Sequence, residues 1–297
     1  MNKLKLGSSE TTREIVITKF NFIDYIQLGK PTHILNPDIN FLQWFIGFFE
    51  AEGSFCHWFD GKKDRFQIEI TQKDPQLMYK IKKNLGFGNV TQFTQNNTFY
   101  WRYSTSKKKY LISFIYLFNG NLLSNHKRKH FKDFVTNFNK IYNINFSVFE
   151  TRLEPSLKTA WLSGFLEGDG GFYVNFNNII RFNKNGSKRY NFKMKFYITQ
   201  KNEIELLMKI KELFYIPTNL YKIHNGNKFQ KYNRLETSQL NCHLLIIKYL
   251  ENYPFLGKRN ITFSRWKRLV NYRVNKYPIT DKSILKLKRL ILATKNN

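Results

Sequence analysis

Two stretches of the chain combine residue types in a pattern that could do chemistry. Phe45–Phe55 reads FIGFFEAEGSF, an apolar run that ends in two acids, Glu50 and Glu52, and then Gly53. Leu162–Phe172 reads LSGFLEGDGGF and sets Glu167, Asp169 and Gly170 in the same order. A helix C-terminus already bears partial negative charge, so an acid placed there is unfavourable by itself. Two such ends side by side are worse, because like charges then share one site. A divalent cation resolves both problems, and Mg²⁺ suits a site with few carboxylates because it keeps several of its waters.

The spacing of the small residues says how the acids are brought together. Gly47 and Ala51 are four apart, as are Gly164 and Gly168, and residues four apart share a helix face. Small residues on that face let a partner helix approach closely. Phe48, Phe49, Phe165 and Leu166 would seal the flanks. The pattern predicts a helix over residues 41–52 and a second one ending at Asp169, packed in parallel about a pseudo-twofold axis with Glu52 and Asp169 as neighbours. The backbone at position 51, an alanine here, is left open as a further metal contact.

The rest of the sequence is also written twice. RFQIEITQKD follows the first acidic motif and FKMKFYITQKN the second, and each leads into a helix containing Lys-Ile-Lys. Phe66, Ile68 and Ile70 alternate with polar residues, as do Met194, Phe196 and Ile198, so each strand has one buried and one wet face. The hairpin turns are DGKKD and NKNGSK, the second hairpin being the longer. Asp74 with Pro75 gives a good helix start, and Asn202 with Glu203 a weaker one. The expected fold class is α+β: two pseudo-symmetric αββαββα repeats, each with a final basic helix and an antiparallel sheet. The expected organisation is an N-terminal extension (1–40), a first repeat (41–144), a linker (145–156) with Pro155 and a capping Ser156, a second repeat (157–276) and a basic C-terminal helix (277–297).

Charge narrows the partner. Among 297 residues, 49 are Lys or Arg against 21 Asp or Glu, a formal net charge of +28, which points to a polyanion. Nucleic acid is favoured over membrane, because no apolar run is long enough to span a bilayer. Two distant cysteines, Cys56 and Cys242, exclude a disulfide framework and fit a reducing compartment. His126 and His130 in HKRKH lack an acid or Cys to complete a zinc set and read as a basic helix face. The N-terminus has no apolar signal core. A bias to Phe, Tyr, Ile, Asn and Lys suggests AT-rich codons, and so an organellar genome such as a mitochondrion's, with synthesis in place.

At the motifs Phe45–Gly53 and Leu162–Gly170 the chain resembles the LAGLIDADG homing endonucleases of the single-chain, two-motif kind. The resemblance covers residues 40–276 and includes the hairpin, the I-T-Q-K segment and YPFLGKR, the last degenerate in the first half. It implies motif helices at the domain interface and two sheets forming a saddle over the DNA major groove. It implies that Glu52 and Asp169 bind divalent metal and serve cleavage of both strands, with Ca²⁺ able to replace Mg²⁺ without turnover, while Glu50 and Glu167 are structural. Gln72 and Gln200 match the polar residue near the metal-bound water. A basic residue near the scissile phosphate matches Lys258 or Arg259 in the second half, and Lys127 or Arg128 in the first.

The wet strand faces then supply candidate DNA contacts: Arg65, Gln67, Arg102, Asn175, Asn177, Lys193, Lys195, Lys222 and Arg234. Arg and Lys suit guanine, and Asn and Gln suit adenine. The function expected is a monomeric, site-specific double-stranded DNA endonuclease with a long target site. The alternatives are an RNA-binding maturase that assists group I intron splicing and a DNA-binding protein that no longer cuts.

Overall fold

The computed structural model describes residues 16–182, 188–224, 231–275 and 281–295. Two four-stranded antiparallel sheets, each served by helices in the same order, make up the fold. The first unit runs α1 (Ile39–Glu52), β2 (Gly53–Phe59), β3 (Asp64–Gln72), α2 (Pro75–Leu85), β4 (Asn89–Gln95), β5 (Thr98–Thr105), α3 (Lys108–Phe118) and α4 (Asn125–Tyr142). The second runs α5 (Trp161–Asp169), β7 (Gly170–Phe182), β8 (Lys188–Gln200), α6 (Ile204–Leu213), β9 (Tyr221–His224), β10 (Lys231–Thr237), α7 (Leu240–Asn252) and α8 (Arg259–Val274). Strand order is β2-β3-β5-β4 in one sheet and β7-β8-β10-β9 in the other. The duplicated α+β plan read from the sequence is therefore the observed one.

The period-two pattern fixes the sheets. Phe66, Ile68 and Ile70 are buried under the helices, as are Met194, Phe196 and Ile198. In the first unit the apolar face packs against a cluster of phenylalanines, among them Phe49, Phe55, Phe118, Phe134 and Phe138. In the second, Phe172, Phe255, Phe263 and Trp266 fill the same place. The alternate residues are left on the opposite, open faces.

Local signals set most boundaries. Asp38 caps α1 by accepting from the Asn40 N–H (2.9 Å), which starts that helix two residues before the expected Phe41. Asp74 caps α2, with Pro75 in its first turn. Ser156 is not the cap of α5, as expected; its Oγ accepts from the Lys158 N–H (3.2 Å) in a turn ahead of the helix, which begins at Trp161. Of the NKNGSK turn, residues 183–187 lie outside the described residues.

Two features carried no sequence signal strong enough to place them, and a third, the expected basic C-terminal helix, gains a docking site. A π-helical segment, Tyr25–Gly29, packs on α3, with Tyr25 buried. β1 (Val16–Ile17) pairs in parallel with β6 (Glu150–Thr151), tying the N-terminal segment to the connection between the units. The basic tail forms α9 (Asp281–Lys295), which lies on α8 and β7 with Leu287 and Ile291 buried.

Candidate active site

The helices α1 and α5 meet backbone to backbone. A Cβ added at Gly47 would lie 2.0 Å from the Trp161 carbonyl oxygen, and one at Gly164 would lie 1.8 Å from that of Trp44. No other residue type fits at either crossing point, because the obstacle is main chain and not a side chain that could swing away. Trp44 stacks on Phe48 and Trp161 on Phe165, each pair at 5.0 Å and 16°, so the two sides of the seam repeat one another.

The earlier motif acids tie this seam to the rest of each unit. Glu50 accepts from the backbone N–H groups of Leu123 (2.7 Å) and Ser124 (2.6 Å), at the start of α4, and from the Trp161 indole (2.5 Å) across the seam. Glu167 accepts from Leu256 (2.8 Å) and Gly257 (2.6 Å), just before α8, and from the Trp44 indole (3.1 Å). Burial pushes both carboxyls up to about 7, against the opposing pull of those donors. Each acid thus fastens three elements, a structural role of the kind expected for Glu50 and Glu167.

The later acids lie where the helices end. A Cβ at Gly168 would come within 2.9 Å of Glu52 Cγ and 3.5 Å of its Oε1, so the Glu52 side chain lies over the last turn of α5. Burial pushes the Asp169 carboxyl well above the usual carboxylate range, and the charge of Glu52 adds to the rise. Burial also raises Glu52, while its hydrogen bond to Gln72 and the charges of Arg259 and Lys127 lower it. Gln200 Nε2 donates to Asp169 Oδ2. The two glutamines reach the acids for a simple reason. They continue the buried rows Phe66–Ile68–Ile70 and Met194–Phe196–Ile198 by one step, and so face the helices at the strand end.

Two cations complete the cluster. Lys127, in the first turn of α4, donates to the Gly53 carbonyl at the end of α1. Arg259, first residue of α8, donates to the Gly170 carbonyl and, at 3.2 Å, to that of Gly168 at the end of α5. Burial holds the Lys127 ammonium below its usual range, opposed by Glu50, Asp169 and Glu52. Of the basic candidates, Lys127 and Arg259 therefore reach the acids. Arg128 turns to the Thr151 carbonyl (2.9 Å) and Asn125. Lys258 is exposed and lines, with Glu52, Gln72 and Arg259, a cavity of about 860 Å³ between the two units.

The donor set fits a hard divalent cation. Two carboxylates share a half-buried site whose burial disfavours their ionised forms, so a cation there would relieve the cost. Among the described residues no group of three or more His, Cys, Asp or Glu that could hold a metal ion gathers, so the protein's carboxylate donors here are these two.

The open sheet faces carry most of the other candidates. Arg65 is held by Asp60, and Gln67 donates to Glu69 (2.5 Å). Arg102 stands 3.4 Å from Glu69 and over the Phe93 ring. Lys195 pairs with Glu236, and Arg234 bonds Thr199 (2.9 Å) above the Tyr197 ring. Asn175 and Lys193 face each other across β7 and β8 and are exposed. Asn177 is paired with Asn191 in the same ladder, and its side chain lies outside what the structure describes. Lys222 corrects its expectation. It pairs with Asn233, which is buried on the helix-covered side, so its parity is opposite to that of Arg234.

The sequence reading missed Trp44 and Trp161, which cross the seam to the structural acids. Both stand six residues before their acid, a repeated aromatic that was visible as soon as the motifs were aligned. It also missed the part played by Asp74 and Glu203, whose outlying partners are in the other unit.

Comparison with known proteins is consistent with this geometry. The sequence model described as LAGLIDADG endonuclease matches residues 45–138 and 162–270. The chain is similar to the probable intron-encoded endonuclease 4 of Neurospora crassa, 30% identical over 259 residues, covering 86% of this chain but only 44% of that protein. It is 25% identical over 285 residues to the probable intron-encoded endonuclease Cox1-I1b of Schizosaccharomyces pombe, covering 86% of this chain and 70% of that one. It is also 27% identical over 177 residues to the intron-encoded RNA maturase bI4 of Saccharomyces cerevisiae, covering 56% of this chain and 26% of that one. Among solved structures it shares its fold with the LAGLIDADG homing endonuclease I-LtrWI bound to target DNA, with a TM-score of 0.66 at 19% identity over 86% of this chain and 97% of that one.

Proposed function

The chain belongs to the LAGLIDADG endonuclease family, and on that premise we propose that it is a site-specific double-stranded DNA endonuclease dependent on a divalent metal. The observation that carries the reading is the juxtaposition of Glu52 and Asp169 at the ends of two helices pressed together at Gly47 and Gly164. Structural relatives described as bound to DNA, one of them with calcium ions, support it.

In this reading Glu52 and Asp169 hold the metal. When bound, a divalent cation there supplies a water of lowered pKa and countercharge for the phosphate. Gln72 and Gln200 hold the carboxylates in place through their amides and present neutral donors to a nearby water. Lys127 and Arg259 offer positive charge to the phosphate, where negative charge grows during hydrolysis. The open faces read DNA through Arg65, Gln67, Arg102, Asn175, Asn177, Lys193, Lys195 and Arg234, with Lys222 confined to backbone contact at the sheet edge. Both units lie in one chain, so the protein works as a monomer, organised in this reading as an N-terminal extension (1–40, up to the first residues of α1), a first repeat (41–144), a linker (145–156), a second repeat (157–276) and a C-terminal helix (277–297). Relatives named for cox1 introns support an intron-encoded, mitochondrial origin.

Incubation with a randomised duplex pool tests this. In Mg²⁺ a long, defined sequence should be cut on both strands; in Ca²⁺ the same sequence should be bound and left intact. Glu52→Gln and Asp169→Asn should each abolish double-strand cutting while binding is kept. The similarity to an RNA maturase favours a second reading, intron RNA binding. Accelerated group I splicing by a chain that cuts no duplex would select it.

A further inference from the structure

The N-termini of α4 and α8 carry Lys127 and Arg259 to the motif acids, and each is held by a carboxylate from the other unit. Before α8, the N–H groups of Leu256 and Gly257 go to Glu167, within the same unit. The next one, Lys258, donates instead to Asp74 Oδ2 (2.9 Å), at the start of α2 in the first unit. Before α4, Leu123 and Ser124 go to Glu50. Then the Ser124 hydroxyl (2.6 Å) and the His126 N–H (2.8 Å) both donate to Glu203 Oε1, at the start of α6 in the second unit. Asp74 stands one residue and Glu203 two residues after I-T-Q-K, each immediately before the helix that follows, and they are 8% and 4% exposed.

We propose that Asp74 and Glu203 are positioning residues that act across the pseudo-twofold axis, each setting the other unit's cation, Arg259 or Lys127, against the motif acids. A helix N-terminus attracts a carboxylate, and a buried charge-assisted bond fixes direction as well as distance. The reach from Glu203 to Lys127 is one residue beyond the His126 N–H, and from Asp74 to Arg259 one beyond the Lys258 N–H. A change at either carboxylate therefore rotates the first turn that aims the cation. Glu203 is the cleaner case. Its side chain makes no cap bond to its own helix α6, so its partners at that carboxylate are in the other unit. Asp74 also caps α2 through its Oδ1. The consequence is strand-selective: loss of Glu203 disturbs the unit containing Lys127 and leaves Arg259 in place.

The inference rests on the proposed endonuclease reading, and the test separates the two. The duplex recovered by the unsubstituted chain from a randomised pool in Mg²⁺ is labelled differently on each strand. Glu203→Gln should fold, bind that duplex in Ca²⁺ as tightly as the unsubstituted chain, and nick one strand about ten- to a hundred-fold more slowly than the other. Asp74→Asn should slow the opposite strand. In parallel, hydrogen exchange at the His126 amide should speed up in Glu203→Gln while the Leu123 amide, held by Glu50, stays protected. Equal slowing of both strands, or no slowing, overturns the strand-selective role. Unchanged exchange at His126 overturns the cross-unit bond itself, and that measurement holds even for a chain that cuts no duplex, an outcome that would instead remove the endonuclease reading.

Discussion

Substitution of Gly164 by alanine tests the seam with a sign opposite to the usual one. Inside an exposed helix, Gly→Ala gains about 1 kcal/mol because glycine loses more backbone freedom on folding. At Gly164 the new Cβ would stand 1.8 Å from the Trp44 carbonyl oxygen, where real Cβ atoms essentially never come closer than 3.0 Å. The obstacle is backbone, so α1 and α5 must part by about 1.2 Å. Overpacking typically costs 1–3 kcal/mol, and parting the helices stretches the bonds from Trp161 to Glu50 and from Trp44 to Glu167, worth about 2 kcal/mol each if lost. With both bonds lost, a net loss of about 4–6 kcal/mol follows after the propensity gain, or roughly 15 °C in melting temperature for a chain of this size. Thermal and urea unfolding measure it. Gly61→Ala is the comparison: that glycine has φ +87° with nothing within 4 Å, so it carries only backbone strain, about 1–2 kcal/mol. A Gly164→Ala protein that melts as high as the unsubstituted chain would refute close helix contact.

The remaining predictions concern charge. Asp169→Asn should raise the melting temperature in chelator, because it removes a buried carboxylate whose ionisation Glu52 opposes; added Mg²⁺ should stabilise the unsubstituted chain and not the variant, as read by thermal shift. His243 is buried with its pKa held near 4 by desolvation, so the unfolded chain takes up its proton first and stability falls as pH drops from 6.5 to 4, by at most about 3 kcal/mol. Glu50 and Glu167, raised to about 7, contribute with the opposite sign, losing stability as pH rises through 7. The His243 part is therefore read as the difference between the unsubstituted chain and His243→Gln in urea titrations across that range. Duplex binding should weaken steeply with salt, and Arg65→Ala should lower the slope of log K against log salt by about 1 if Arg65 meets a phosphate.

The sequence exposed what obeys a short period or repeats. The small residues at Gly47, Ala51, Gly164 and Gly168 announced the seam, while Gln72 and Gln200 were named through the family resemblance alone, and the structure supplies the reason they reach the acids, one step beyond Ile70 and Ile198 on the helix-facing rows. What it concealed depends on register and on contacts between the units. Lys222 looked like any basic strand residue until pairing with Asn233 set its parity. Lys258 and Arg259 were indistinguishable as neighbours, because only the turn into α8 decides which one points at the helix ends. Glu203 read as a weak helix start for α6, whereas its partners lie about eighty residues upstream in another element, a relation no local pattern encodes.

The most direct measurement is anomalous diffraction from a crystal of the chain with a bound duplex and Mn²⁺. Metal density touching oxygens of both Glu52 and Asp169, at the meeting point of α1 and α5, is the predicted result. Density confined to one carboxylate, or the two carboxylates directed to separate regions of solvent, would contradict the account.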